Sequence, residues 1–293
     1  FWIIVIFIVL FDVFVEILTG TNILGFGEGH KHRVVSFFKD EPIVGGYLNG
    51  FYLIIIGFLF NEIRDKKNYL IILLSIIFFI SILLTGERSN TIRAFLGISI
   101  FLLFYKNLDF KKKIITFTAI MCLIFTLIFN LELLKQRFIN QFIAKDTKNN
   151  YYYVLYNSGF EVFKNYKLFG VGNKNYRVET CKKINKNKNK NYRCLTHPHQ
   201  IYFEFLSEHG LIGTIIILLI FYKLIFSKIF STIREKNYIK IGSLIYLTLV
   251  FLPIIPSGAF FGDFAITIFA INLSLFYASD KQLNIFKKIE SKI

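Results

Sequence analysis

Acidic residues are scarce in this chain: 19 Asp and Glu stand against 35 Lys and Arg over 293 residues, a formal net charge of +16. Proline is scarcer still at 4, and there are only 3 cysteines and 1 methionine. There is no initiator Met, and the chain begins inside the apolar run "FWIIVIFIVLFDVFVEIL". That run has no basic leader and no small-residue cleavage site, which argues against a signal peptide and for an N-terminally truncated fragment lacking its first helices. No internal repeat is evident, which counts against a transporter built from inverted halves. The large excess of positive charge suggests nucleic acid at first sight. The basic residues, however, sit in short stretches between apolar runs, which marks cytoplasmic loop ends, so no nucleic-acid partner is expected.

What is abundant is apolar surface. The chain is 54% hydrophobic and 18% aromatic, with 36 Phe. Eight apolar segments can be drawn, at about 1–18, 44–61, 69–84, 91–105, 114–130, 201–226, 239–256 and 263–279. A soluble domain of this length rarely holds so many, so the fold class is all-α, a polytopic transmembrane helical bundle. The stretches "NEIRDKKN", "KNLDFKKK", "SKIFSTIREKNYIK" and "DKQLNIFKKIESKI" alternate with the remaining connections. One topology therefore satisfies every short loop: the basic set is cytoplasmic, and 19–43, 85–90, 131–200 and 257–262 lie outside. The economical description is one membrane domain, 1–293, with one large outer loop at 131–200. Within that loop, "LELLKQRFINQFIAKDTKNN" and "YYYVLYNSGFEVFKNYKLF" suit the membrane interface.

Polar residues suited to chemistry collect on the outer side. "GHKHRVVSFFKDEPIVGGYLNG" carries Arg33, Asp40 and Glu41, and "LLTGERSNTIRAFLG" carries Glu87, Arg88 and Arg93. "FGVGNKNYR" brings Gly170, Gly172 and Arg177, and "THPHQ" brings His197 and His199. Each has a plainer reading. Arg88 and Arg93 can snorkel to lipid headgroups, Arg33 can be a loop surface charge, and the glycine pair can be a turn. Cys122, in the middle of a helix, reads as packing. His199 follows Pro198 where a helix is about to start, so the helix dipole would keep its ring neutral and able to act as a base. A simple helix-capping histidine is the alternative. Cys181 and Cys194 flank "KKINKNKNKNYR" in the outer loop and are expected to pair as a disulfide in an oxidising compartment. The rival is a zinc site made of both cysteines with His197 and His199.

His199-Gln200, nine residues, then Gly210 resembles the H-[NSQ]-x9-G signature of O-antigen ligases, within the wider O-antigen ligase and polymerase membrane family. "LLTGERSNTIRAFLG" is similar to that family's Ser-Arg turn with Glu87 in place of the serine. "RVVSFFKDEPIVGGYL", "FGVGNKNYR" and "LPIIPSGAFF" resemble further family blocks in the same order. The resemblance implies a catalytic His at His199 and an outer-face Arg at Arg88. A second family arginine lies upstream of the glycine pair, where this chain has "YYYVLY", so Arg137 or Arg177 stands in. It further implies a glycosyltransferase moving a glycan from undecaprenyl diphosphate to a sugar of the lipid A core, among membrane lipids, on the periplasmic face of the inner membrane.

His199 would be the general base and Arg88 would stabilise the diphosphate leaving group. Arg33, Arg93, Arg137, Arg177, Gly170, Gly172 and His197 would bind substrate. The donor is already activated, so neither a cofactor nor a metal ion is required. Accordingly, the outer loops hold no D-x-D pair and the chain no phosphate-binding P-loop. A polymerase of the same fold, joining repeat units to one another, is the first alternative, and a non-enzymatic transporter of lipid-linked glycans the second.

Overall fold

A computed structural model of the chain describes residues 2–27, 33–39, 41–62, 68–106, 108–141 and 151–279. Asp40 and the basic stretches 63–67 and 280–293 lie outside the described residues. The helices, in chain order, are α1 (Trp2–Thr19), α2 (Val44–Glu62), α3 (Asn68–Leu84), α4 (Arg88–Phe104), α5 (Phe110–Asn130), α6 (Glu132–Lys135), α7 (Tyr151–Asn165), α8 (Tyr176–Cys181), α9 (Lys183–Lys188), α10 (Ile201–Leu224), α11 (Ile229–Arg234), α12 (Tyr238–Val250) and α13 (Asp263–Ala278). No strand occurs among the described residues, so the fold is all-α. Each of the eight apolar segments contains a helix, although in 239–256 the helix ends at Val250 and the rest is turn and bend. Four spans, α1, α2, α5 and the stretch Ile201–Arg234, are long and apolar enough to cross a membrane, and α3, α12 and α13 are shorter apolar helices. The chain is a multi-pass helical membrane protein.

The described residues fall into two compact units, one drawn from Phe1–Ala144, Ser231–Leu249 and Ile271–Ile293, the other from Lys145–Phe230 and Val250–Ala270. In the first, α2 packs against α3 and α4 and is the most enclosed of the long helices, whereas α5 is almost wholly exposed. Phe117, Phe125 and Phe129 point outward from α5, as side chains facing lipid do. Cys122 belongs to this exposed set, so it is not the packing residue its mid-helix position suggested. Two glycines let α2 and α12 cross at backbone contact. A Cβ on Gly57 would lie 2.3 Å from the Tyr238 carbonyl oxygen, and one on Gly242 would lie 2.3 Å from the Leu53 carbonyl oxygen. Lipid offers no hydrophobic drive between helices, so close van der Waals approach at small residues is what binds them. Beside this crossing, Phe60, Phe101, Tyr105 and Tyr238 stack with ring centroids 4.1 to 6.1 Å apart.

In the second unit, α7 buries Leu155, Ser158, Gly159 and Val162, one face at helical spacing, and lies against α10. Its far side leaves Tyr153 and Phe160 exposed. The stretch 131–200, expected from sequence to be one large outer loop that starts with a short amphipathic helix, contains α6 to α9. A second aromatic cluster, Phe205, Phe221, Phe251, Phe260 and Phe269, fills the unit's apolar interior.

The α2–α12 crossing leaves no room for a side chain on either glycine. Gly57→Val and Gly242→Val are expected to lower stability by about 3 kcal/mol or more through overpacking. Leu103→Val, at an exposed position, should change little. Detergent-solubilised protein heated and passed over a sizing column gives the comparison; a Gly57→Val melting curve matching that of Leu103→Val would refute the crossing.

Candidate functional site

Two polar assemblies hold the residues singled out by sequence, one in each unit. In the first unit the assembly is built on the turn between α3 and α4. Thr85 and Gly86 close the end of α3, and Glu87 starts α4. The Glu87 carboxylate is buried and accepts hydrogen bonds from the Gly45 amide (2.6 Å), the Gly46 amide (3.2 Å) and the Asn90 side chain (2.6 Å). It therefore satisfies free amides in the first turn of α2, where a helix favours negative charge. Burial nevertheless pushes its carboxyl up to about 7, against the pull of these donors and of the nearby Arg33 guanidinium. Arg88 is the first residue of α4, half-buried, and its guanidinium meets no hydrogen-bond or ion-pair partner among the described residues.

Arg137 was a candidate substrate ligand, but the structure gives it another task. It is buried, its Nε donates to the Gly86 carbonyl at 3.0 Å, and its Nη1 donates to the Gln141 side chain at 2.6 Å. Its charge thus supports the turn that presents Arg88. Arg93 was likewise expected at the substrate or the headgroups. It is instead buried one turn further along α4, with Nε directed to the Leu249 carbonyl at 3.4 Å. Arg33, Arg88 and Arg137 are brought together around Gly86–Glu87, whereas Arg93 serves the packing of α4. The segment bearing Arg33 is tied down by α1. Glu16 accepts from the amides of Val35 (3.0 Å) and Ser36 (2.7 Å), and Asp12 from the Ile23 amide (2.9 Å) and the Ser36 hydroxyl.

In the second unit the assembly centres on the Thr196–Gln200 turn. Gln200 caps α10, its side-chain oxygen accepting from the amides of Tyr202 (2.8 Å) and Phe203 (3.0 Å). This corrects the expectation that His199 opens the helix under the influence of its dipole. His199 stands one residue before the cap with φ of 58°, a left-handed conformation uncommon outside glycine. Burial lowers its imidazole below the ordinary range. Neither ring nitrogen has a hydrogen-bond partner among the described residues, and the residue is only half-buried.

His197 differs. Its Nδ1 lies 2.9 Å from the Thr196 hydroxyl and its Nε2 3.3 Å from the Ser257 carbonyl oxygen. A carbonyl can only accept, so Nε2 carries the proton and Nδ1 accepts from the hydroxyl. Burial and the neighbouring His199 ring, 4.1 Å away between centroids, push the His197 imidazole down to about 4. The Ser257 amide in turn donates to the His199 carbonyl at 2.9 Å, so one residue braces both histidines.

The glycine pair is structural. The Gly170 amide donates to Tyr166, Val171 to the Ser207 carbonyl (3.0 Å) and Gly172 to the Glu208 carbonyl (2.8 Å). Leu211 and Ile212 donate back to the carbonyls of Lys167 and Leu168, across a break in α10 at Gly210, where φ is 62°. A Cβ on Gly170 would lie 2.3 Å from the Glu208 carbonyl carbon, and one on Gly210 would lie 2.4 Å from the Leu168 backbone. With their amides committed, Gly170 and Gly172 have none left for a phosphate, contrary to their assignment as substrate ligands. Arg177 lies on α8, exposed and with no charged partner among the described residues. Cys181 and Cys194 form a disulfide with Cα atoms 4.4 Å apart. The bonded sulfurs are not thiolates, so this pair is not available to the zinc arrangement.

Sequence reasoning missed Glu204 and Glu208. Glu204 accepts from the amides of Phe260 (2.9 Å) and Phe261 (3.4 Å), and Glu208 from those of Lys174 (2.9 Å) and Tyr176 (3.5 Å). The available signal was two carboxylates four residues apart at the mouth of an apolar helix, which places both on one face.

A carboxyl raised on folding makes the protein less stable as pH rises, because the folded state holds a proton the unfolded chain has released. For Glu87 the window runs from its ordinary 4.5 to about 7. Relative to Glu87→Gln, the parent should lose up to about 3 kcal/mol across that window. Melting temperatures of both proteins from pH 4.5 to 8 test this; a pH-independent difference would show that Glu87 is ionised throughout.

Residues 73–218 match the family described as O-antigen ligase, while no curated protein matches the chain. The matched stretch runs from α3 through the Glu87–Arg88 turn, the glycine pair and the two histidines to the break at Gly210. On that match, joined to an all-α multi-pass fold, the chain belongs to the O-antigen ligase family.

Proposed function

We propose that the protein is a glycosyltransferase of the O-antigen ligase type, working on the periplasmic face of the inner membrane. In this reading it moves a glycan from undecaprenyl diphosphate to a sugar hydroxyl of the lipid A core. One observation carries the assignment of roles. Of the two adjacent imidazoles, only His199 has both ring nitrogens unengaged among the described residues, whereas His197 has each committed. The acceptor oxygen forms a bond to the anomeric carbon as that carbon's bond to the diphosphate oxygen breaks. The acceptor's proton passes to His199, and the bonding electrons leave with undecaprenyl diphosphate. His199 is neutral at physiological pH because burial lowers its imidazole, so it is ready to take that proton.

Negative charge grows on the departing diphosphate. Arg88, held at the start of α4 and without a partner among the described residues, supplies a planar fork of donors for it, with Arg33 and Arg177 as further cations. Arginines on the diphosphate stand where magnesium stands in other phosphate chemistry, so the transfer is expected to proceed in excess chelator.

The assignment is tested in a strain lacking the gene, complemented with variants and examined by lipopolysaccharide gel. His199→Ala should lose every long chain and accumulate lipid-linked polymer, with transfer reduced by about 10²–10⁴-fold in vitro. His197→Ala should retain much of its activity. Accumulation of single-repeat forms would instead identify a polymerase, and a reversed pair of phenotypes would move the base to His197.

Arg88→Lys separates leaving-group stabilisation from headgroup contact. Lysine keeps the charge but lacks the planar fork. Single-turnover transfer at saturating donor, in chelator, should fall by about tenfold or more, while donor affinity changes less. A silent Arg88→Lys would return this residue to a headgroup contact.

A further inference from the structure

A cavity of about 300 Å³ opens in the second unit, lined by Tyr151, Val154, Leu155, Arg193, Cys194 and Leu195. None of these has a part in the chemistry above except Cys194, through its disulfide. One wall is α7, whose first two turns supply Tyr151, half exposed, together with Val154 and Leu155. The other is the segment from Arg193 to Leu195, which is held on three sides. The disulfide fixes Cys194, the Arg193 amide donates to the Ser158 hydroxyl at 2.9 Å, and buried Tyr192 accepts from Asn165 at 2.7 Å.

Arg193 is oriented without being used up. Its Nη1 donates to the carbonyls of Lys190 (3.0 Å) and Tyr192 (3.3 Å). Its Nε and Nη2 have no partner among the described residues, and no carboxylate pairs with it there. The residues that line the cavity thus combine apolar side chains, an aromatic ring and an arginine with two unengaged donors.

We infer that this cavity binds a saccharide residue carrying an anionic substituent, a phosphate or carboxylate, on the acceptor side of the reaction. The inference rests on the transferase reading. A pyranose presents C–H groups on one face, which suit Tyr151, Val154, Leu155 and Leu195, and an anionic group on its edge meets the two free donors of Arg193. An acyl chain would leave that charge unanswered, and a bare anion would make no use of the apolar side chains. Leu195 stands four residues before His199, at most about 14 Å along an extended backbone, so a short acceptor glycan bound here can place a hydroxyl at the imidazole.

The test uses the purified full-length protein in nanodiscs, with saturation-transfer NMR on glucose 6-phosphate, glucose and inorganic phosphate. Glucose 6-phosphate should bind, and at least about tenfold more weakly to Arg193→Gln and to Tyr151→Ala. Arg193→Lys should recover part of the binding. His199→Ala should bind the probe as the parent does while failing to transfer glycan, so that loss of the catalytic reading and loss of this subsite are read separately. Retention of the Cys181–Cys194 disulfide in each variant, scored by thiol labelling, verifies the fold of the loop. Inorganic phosphate binding as tightly as the sugar phosphate, or binding indifferent to both substitutions, would overturn the inference.

Discussion

Backbone amides that come to rest near or within a membrane must be answered by protein, because hydrocarbon supplies no hydrogen-bond partner and each unanswered group costs several kcal/mol. Here the loops are answered by carboxylates. Asp12 and Glu16 on α1 hold the segments around Ile23 and Val35–Ser36, Glu87 holds the start of α2, and Glu204 and Glu208 on α10 hold Phe260–Phe261 and Lys174–Tyr176. All five are nearly inaccessible to solvent. A carboxylate suits this work because its two oxygens accept several N–H bonds from a non-repeating backbone at once. Each acid fixes a loop from a helix that is itself fixed, and through those loops the candidate reactive side chains acquire their positions.

This use of acidic residues accounts for the division of labour in the site. These five carboxylates are committed to backbone amides, whereas the imidazole of His199, the base proposed above, has no hydrogen-bond partner among the described residues. The cations divide in the same manner. Arg93 and Arg137 are buried against backbone carbonyls, while Arg88 and Arg177 meet no charged partner among the described residues. A scarcity of acids in the sequence thus hides how fully these five are engaged.

Much of the fold was legible because apolar runs are a local property: each of the eight expected segments carries a helix, and the His199-Gln200 motif with its distant Gly210 pointed to the family. The roles inside the site were less legible. Nothing near Gly170 in sequence says that its backbone lies against Glu208, thirty-eight residues on, and nothing near Arg137 says that it reaches back to Gly86. Gln200 is the instructive case. Its side chain caps α10, so His199 stands just outside the helix, and burial is a cause of its lowered imidazole. A polar residue that can cap, standing after a histidine, was visible in the sequence; which of the two residues would occupy the cap was a matter of backbone geometry.

The spacing between Gln200 and Gly210 then has a physical reading. Gln200 and Gly210 stand ten positions apart, and at 1.5 Å each the cap and the break are separated by about 15 Å, a little under three turns. At the cap end the chain presents His199. At the break end Gly170 and Gly210 meet backbone to backbone, and four amide–carbonyl bonds lock residues 167–172 to 207–212. Between them, Glu204 and Glu208 face the loops they hold. An added or deleted residue would rotate everything beyond it by about 100° and carry one carboxylate off its loop. The glycine is required at the break, because any side chain there would meet the Leu168 backbone, and the interval is required because the cap, the two carboxylates and the break share one helical phase. The motif therefore works as a ruler that sets the imidazole at a fixed distance and angle from the clamped loop.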